Sequence, residues 1–544
     1  MPADTLANAV IADRLDAFAG LLELAEANPY SARAYRRAAD LVRATPAPVA
    51  ELVRAGRVRE LPGIGPAIEV RLRELVETGE IAELAELERE TSPELVGLGR
   101  YLGIGAKRMV EIGRALDARS LDDLRDAARA DRLTSVPGIG PKTEQKLREA
   151  LERGACTPAR PLLLSHTRAL LEAIAAALGG EPAGDARRGH DEPRRLVVVS
   201  ASREPTAVLE RFARLPQIVA VVERAELRAV GVTVEGMPVE LVVAPPERFG
   251  TELLRATGSS AYVAALEPLP AGRDEESVFR ALGVPWCPPE LREEPFRSEP
   301  PQLVERADLR GDLHCHTTWS DGSASVEEMG RAARDLGYEY LAICDHTTSV
   351  RVVPGLDADA VRRQAEEIAA TNERLAPLRL LAGIECDILP DGSLDLPDDV
   401  LAELDWVTAS VHAGQRQPRG ELTARVLEGL RHPAVRSLSH PTGRLVGRRP
   451  ANALDLERVV EVALETGTAL EVNGLPDRLD LKGEHVRLCV EAGVPLVVAT
   501  DAHSVRGLVN IELAVTTARR GWAEAEDVVN TRPLSELLAP KQTR

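Results

Sequence analysis

No run of apolar residues approaches the roughly 18 that a membrane-spanning helix needs. With 44% hydrophobic and 28% charged residues, the composition is that of a soluble globular protein. Cysteine is sparse: six residues, at 156, 287, 315, 344, 386 and 489, with no Cys-x-x-Cys pair. That excludes a disulfide framework and a thiolate zinc site. The first residues do not read as a signal-like leader. Met1 to Gly20 is acidic and amphipathic, so a cytoplasmic location is expected. Positive charge is in deficit, with a net charge of −19, which argues against a broad basic surface for nucleic acid. The deficit is uneven, because residues 1–155 carry 23 Lys/Arg against 26 Asp/Glu, a net of −3. Local basic faces remain open there. At 544 residues the chain exceeds one ordinary core, and length alone predicts three or four domains.

Histidine is scarce too, yet six of the ten stand where apolar runs end. Asp312-Leu313-His314-Cys315-His316 closes a run that reads as strand, followed by a polar turn with Asp321 and Gly322. In a strand, residues i and i+2 point the same way, so His314 and His316 can face one cation. The pattern then repeats: Tyr340 to His346, Leu380 to Cys386 with Glu385, Trp406 to His412, Arg436 to His440, Thr468 to Asn473, and Pro495 to His503 with Asp501. Helical stretches separate these runs, as at Ser325-Val326-Glu327-Glu328, a capping-box start. Such β-helix alternation predicts a parallel barrel of about seven strands, whose C-terminal strand ends form the active-site face. The expected metal ligands are therefore His314, His316, Asp321, His346, Glu385, His412, His440, Asp501 and His503. Imidazole and carboxylate without thiolate suit manganese, zinc or iron. Arg444, Arg448 and Arg449, after His440, are candidates for holding phosphate, with Asn473 and Lys482 as weaker ones.

The N-terminal third carries a different motif in three copies: Leu61-Pro62-Gly63-Ile64-Gly65-Pro66, Leu102-Gly103-Ile104-Gly105-Ala106-Lys107, and Val136-Pro137-Gly138-Ile139-Gly140-Pro141-Lys142. Each ends one helix and opens another, leaving first-turn amides free to meet a phosphate oxygen. This helix-hairpin-helix pattern predicts DNA held by its backbone, without base readout. Gly63, Gly65, Gly103, Gly105, Gly138 and Gly140, with Lys107 and Lys142, are the expected contacts.

These motifs carry a family resemblance. Residues 4 to about 154 resemble the lyase-like and fingers domains of family X DNA polymerases, which Asn28-Pro29-Tyr30 and Ala34-Tyr35-Arg36-Arg37-Ala38-Ala39 also match. The family's Schiff-base lysine falls at Arg71, a permanently protonated group that is a poor nucleophile, so lyase chemistry by that route is not expected. Gly184-Asp185-Ala186-Arg187-Arg188-Gly189 resembles the opening of a nucleotidyltransferase palm. There the Asp-x-Asp pair would stand at Arg195 and Val197, with a third carboxylate surviving as Glu240. Two-metal phosphoryl transfer needs those carboxylates, so polymerisation is expected to be lost.

Leu309 to Gly507 resembles the polymerase and histidinol phosphatase (PHP) superfamily. The resemblance implies three divalent cations: one on His314, His316, Glu385 and Asp501, a second on His412 and His440 bridged by Glu385, and a third on Asp321, His346 and His503. It places catalysis on Glu385, Asp501 and His314. The whole order resembles bacterial family X polymerases, in which repair synthesis is paired with a metal-dependent 3′–5′ exonuclease. The expected fold is multidomain α/β: a helical hairpin region (1–88 and 89–158), a degenerate α+β palm with shortened thumb (159–300), and a distorted (β/α)7 PHP barrel (305–544). The expected function is hydrolysis of DNA phosphoesters at 3′ ends in repair, as a 3′–5′ exonuclease or in 3′-end and abasic-site processing, with DNA as partner and no membrane association. Two alternatives stand beside it: an active gap-filling polymerase with exonuclease, and a small-molecule phosphatase of the histidinol-phosphatase type.

Overall fold

The computed structural model describes residues 8–540 apart from 25–28, 44, 46–47, 62, 85–91, 154–161, 296–297 and 351–352. Asn28, Pro62, Cys156 and the expected boundaries after 88 and 158 lie outside the described residues.

Pro29, which cannot continue a helix because it lacks an N–H donor, opens the second of two helices, Asn8–Leu24 and Pro29–Arg43. They meet through the Phe18 and Tyr35 rings, 4.8 Å between centroids. Three helix pairs follow: Val49–Arg54 with Pro66–Thr78, Pro93–Tyr101 with Ala106–Leu116, and Leu121–Arg129 with Pro141–Arg153. At each hinge the first motif glycine has positive φ (Gly63 96°, Gly103 69°, Gly138 77°), a conformation that side-chain-bearing residues avoid.

The middle of the chain builds a five-stranded mixed sheet from β1 (Gly180–Ala183), β2 (Leu196–Ala201), β3 (Ala220–Arg224), β4 (Arg228–Val232) and β5 (Pro238–Ala244). Their spatial order is β1-β2-β5-β4-β3, with only β2 and β5 parallel. The helical region is seated on this sheet. Ala220, Val222, Val230 and Val232 share one buried core with Leu95, Val96 and Leu98. Gly97 permits that approach, since a Cβ there would lie 2.6 Å from the Thr233 carbonyl oxygen and the Val219 side chain.

The C-terminal half is a seven-stranded sheet in sequential order: β6 (Gly311–Cys315), β7 (Tyr340–Ile343), β8 (Arg379–Asp387), β9 (Trp406–Ser410), β10 (Val435–Leu438), β11 (Ala469–Asn473) and β12 (Leu496–Ala499). Every adjacent pair is parallel. The sheet nearly closes, because the Asp501 amide donates to the His314 carbonyl (3.0 Å) and the His316 amide to that of Ala502 (2.8 Å). With helices outside and side chains inside, both strand faces are buried, which accounts for continuous apolar strands such as Leu496-Val497-Val498-Ala499. Each fully buried Leu or Val there contributes about 1.5–3 kcal/mol of transfer free energy.

Arginines tie the barrel to the rest. Arg506 donates to the Leu41 carbonyl (3.1 Å) and to Thr45 Oγ1 (3.3 Å), and Arg444 reaches Asp191 Oδ2 (2.5 Å). Arg519 pairs with Glu290 (2.7 Å) and Arg520 with Glu293 (3.3 Å). Among the described residues no helix is long and apolar enough to cross a membrane.

Candidate metal centre

Parallel strands all deliver their C-terminal ends to one mouth, so a ligand residue at each end arrives at one place. The nine expected ligands do converge. His316 Nε2 lies 3.1 Å from His314 Nε2 and 3.0 Å from Asp501 Oδ1. Glu385 divides its two oxygens. Oε1 faces His440 Nε2 (3.0 Å) and His412 Nε2 (3.6 Å), while Oε2 faces His346 Nδ1 (2.8 Å) and His314 Nε2 (3.6 Å). Asp321, in the turn after β6, lies 3.5 Å from His346 Nε2 and 3.3 Å from His503 Nε2. His314, His316, His440, Glu385 and Asp501 are buried, whereas His412, Asp321 and His503 stand partly open at the rim.

Three groups of side chains are close enough to hold a cation: His316, Asp321, His346 and His503; His314, His316 and Asp501; and His346, Glu385 and His412. His316 Nδ1 is buried without a hydrogen-bond partner, and His346 Nδ1 and Glu385 Oε2, though 2.8 Å apart, are buried without a well-aligned one. An unsatisfied buried polar atom costs about 1–3 kcal/mol, more if charged. Lone pairs turned toward a common centre with no donor are what a cation requires, and the nitrogen and oxygen donors fit manganese, zinc or iron.

Protonation divides the site: its acids stay ionised and His316 neutral, while His346 holds a proton that an entering cation must displace. Burial opposes ionisation of Glu385, yet His412, His346 and His314 hold its carboxyl well below the ordinary range. Asp321 is likewise lowered by His346 and His503 against the effect of burial. Burial, with His503 and His346, pushes His316 down to about 4, so its imidazole is neutral and free to ligate. Burial depresses His346, but Glu385 and Asp321 outweigh it and raise His346 to about 10. A cation entering here competes with protons, so its binding tightens as pH rises.

The motifs in the helical region are also in place. Helices Pro66–Thr78 and Ala106–Leu116 begin at Gly65 and Gly105, and neither receives a side-chain cap. Their first-turn amides therefore stay available to an anion. A Cβ at Gly65, Gly105 or Gly140 would meet nothing within 4 Å, so these backbones face open space. Lys107 and Lys142 are exposed. Arg71 is engaged by Glu74 (3.0 Å) and Glu83.

Comparison with known families agrees with this layout. A helix-hairpin-helix domain matches residues 6–81, a SAM-like helix-hairpin-helix tandem residues 102–153, and a PHP domain residues 312–474. The "DNA polymerase/3′-5′ exonuclease PolX" of Bacillus subtilis strain 168 is 33% identical, over 96% of this chain and 97% of that protein. The chain belongs to the PolX family. The barrel has relatives of its own. A probable phosphatase of Acetivibrio thermocellus is 33% identical over 35% of this chain and 78% of its own length, and one of Aliivibrio fischeri is 28% identical over 42% and 91%. The PHP match ends at 474, so Asp501 and His503 join the centre through the closing strand of this PolX-family barrel.

Several acids that sequence reading did not single out hold the ligands. Buried Glu471 accepts from His314 Nδ1 (2.7 Å), the His440 amide (2.6 Å) and Asn473 Nδ2 (3.2 Å). Asp387 holds His412 at Nδ1 and at the backbone amide, both at 3.0 Å. Asp345 accepts from the Thr317 amide (2.8 Å), Thr317 Oγ1 (2.6 Å) and Gln364 Nε2 (2.5 Å), fixing the turn that leads to Asp321. Such partners set tautomer and ring orientation at metal sites. Asp387 and Glu471 each stand two residues from another site residue (Glu385, Asp387; Glu471, Asn473), the signal that could have found them.

The expected phosphate contacts fare differently. Arg444 spends its guanidinium on Asp191 and the Leu479 carbonyl, so it braces a loop and joins two parts of the chain. Arg448 is an exposed surface residue 3.5 Å from Asp477, and Arg449 donates to the Gly443 carbonyl (2.8 Å). Lys482 pairs with Glu484 (2.6 Å), and Asn473 donates to Glu471 and Asp501.

In the palm-like sheet, Val197 of β2 registers against Glu240 of β5. Arg195 binds Glu240 Oε2 and Arg228 binds Oε1, both at 2.7 Å. Both oxygens of the surviving carboxylate are thus occupied by arginine. Arg188, in the expected palm opening, is buried and paired with Asp185 (2.8 Å) and Glu293 (3.0 Å).

Proposed function

We propose that this chain is a metal-dependent phosphodiesterase that shortens DNA from 3′ ends, with the hairpins holding the DNA backbone and templated synthesis lost. The observation that carries the proposal is the division of Glu385 between two sets of imidazoles at a barrel mouth, in a chain that also has three helical hairpins. Cations bound there would supply Lewis acidity toward a phosphate and the water that attacks it. The chain's own groups orient that centre. Glu471 and Asp387 fix His314 and His412, Ser439 Oγ donates to Glu385 Oε1 (2.7 Å), and buried walls exclude competing solvent. The 3′–5′ polarity is drawn from the Bacillus subtilis relative's name. Loss of synthesis rests on Arg195, Val197 and the doubly paired Glu240, which leave no set of carboxylates for two magnesium ions.

The test is digestion of end-labelled single strands and gapped duplexes with manganese, with and without chelator, beside primer extension with all four nucleotides. Chelator-sensitive release of nucleotides from 3′ ends, without templated extension, is expected. Extension products would overturn the loss of synthesis. Hydrolysis of nucleotide monophosphates but not of oligonucleotides would move the assignment to a small-molecule phosphatase, as the barrel-only relatives suggest.

Backbone holding makes a separate prediction. Lys142→Glu is expected to weaken DNA binding similarly across unrelated sequences, and to lower the slope of log affinity against log salt by about one. Fluorescence anisotropy over a salt series checks it. Weakening confined to one sequence would contradict backbone contact.

A further inference from the structure

The geometry points to Arg478 as the group that receives the non-bridging oxygens of the substrate's phosphate, an inference that rests on the hydrolase reading above. Arg478 lies in the 474–482 loop, which follows β11 and precedes the helix Gly483–Ala492. That loop is fastened along its length. Asn473 Oδ1 accepts from the Leu475 amide (2.8 Å), and the Asn473 amide donates to the Asp480 carbonyl (2.7 Å). Thr442 Oγ1 donates to Asp480 Oδ1 (2.9 Å), the Val446 amide to the Asp477 carbonyl (2.7 Å), and Arg444 to the Leu479 carbonyl. The arginine is therefore presented by a fixed backbone.

Its side chain is 17% exposed and reaches the floor of the metal centre, with Nε 3.4 Å from Asp501 Oδ2. Yet Nε and Nη1 are both buried without a hydrogen-bond partner. Asp501 is already engaged, its Oδ2 accepting from Asn473 Nδ2 (3.0 Å) and its Oδ1 facing His316 (3.0 Å). A guanidinium placed only to balance Asp501 would turn its fork onto that carboxylate. This one brings only Nε toward it, at 3.4 Å and without hydrogen-bond alignment, and leaves Nη1 unpaired beside the ligands. Leaving buried donors unused is costly until an acceptor arrives, and each of the two shares an edge of the planar guanidinium with Nη2, an edge that matches two oxygens of a phosphate. The phosphodiester of a DNA strand supplies those oxygens, and inorganic phosphate is the small probe of the same subsite.

The full-length, metal-loaded protein is compared with Arg478→Gln and Arg478→Lys in three measurements: metal content by mass spectrometry, phosphate binding by calorimetry, and kcat and KM for a 3′-labelled strand. Metal content is expected to hold while phosphate affinity falls about 10- to 100-fold in the glutamine variant, as for loss of a charge-assisted pair, with partial recovery in the lysine variant. KM for DNA rises and kcat falls together. Unchanged phosphate affinity overturns the assignment. So does a parallel loss of metal, which would make Arg478 only a counter-charge to Asp501. The two readings fail separately. Wild-type protein that binds phosphate through Arg478 but leaves DNA intact sinks the nuclease reading alone. Wild-type protein that digests DNA while Arg478→Gln binds phosphate normally sinks this inference alone.

Discussion

Glu385→Gln is expected to lower DNA hydrolysis by at least about 1,000-fold, the scale on which losing electrostatic stabilisation at a reacting phosphate acts. Glutamine keeps the volume but offers one acceptor oxygen in place of two and carries no charge. In the wild type, Oε1 serves the His412 and His440 side while Oε2 serves the His314 and His346 side. The side chain is fully buried, so no water can replace the missing oxygen. Two measurements separate chemistry from folding. Cations per chain, by mass spectrometry, should fall in the variant. Chelator should lower the melting temperature of the wild type, since a ligand bound only to the folded state stabilises it, and should barely move that of the variant. A variant retaining full metal content and rate would mean the cluster is organised around some other residue.

Glu471→Gln should reduce metal affinity or turnover by about 10- to 100-fold, the range seen when an outer partner of a metal-ligating histidine is removed. Glu471 acts through His314 and is a positioning residue. Its carboxylate accepts three donors at once: His314 Nδ1, the His440 amide and Asn473 Nδ2. An amide has only one acceptor oxygen, so its NH2 must face one of those donors and leave it unpaired. The readout that distinguishes positioning from collapse is metal titration. Excess cation should restore part of the rate, and DNA binding measured with chelator present should match the wild type. A loss that no metal concentration relieves, with intact folding, would point to direct contact with substrate.

The centre was legible in the sequence because parallel strands deliver their C-terminal ends to one mouth, so a ligand at the end of nearly every apolar run already implied convergence. The hairpins were legible for a related reason: a glycine with positive φ between two helical stretches leaves a short and specific trace. What escaped notice depended on distance in space. Arg444 follows His440 closely enough to suggest a phosphate contact, yet its partner Asp191 is 253 residues away, beyond any local pattern. Arg478 sits in a loop without periodicity, where one more arginine near acids reads as solvated surface. Glu471 was hidden inside a strand, indistinguishable by composition from an ordinary core-edge acid. Strands β3 and β4 are short and separated by the charged Glu223, Arg224, Glu226 and Arg228, and one of their faces is covered by helices from another part of the chain, which no local pattern shows.

The double clasp of Arg195 and Arg228 on Glu240 also limits what a single substitution can do. An aspartate placed at 195 would set two acids against one arginine, while Val197 still could not ligate a cation. Glu240 is in this way insulated from a cation by two independent contacts, so no one substitution at 195, 197 or 228 frees both of its oxygens.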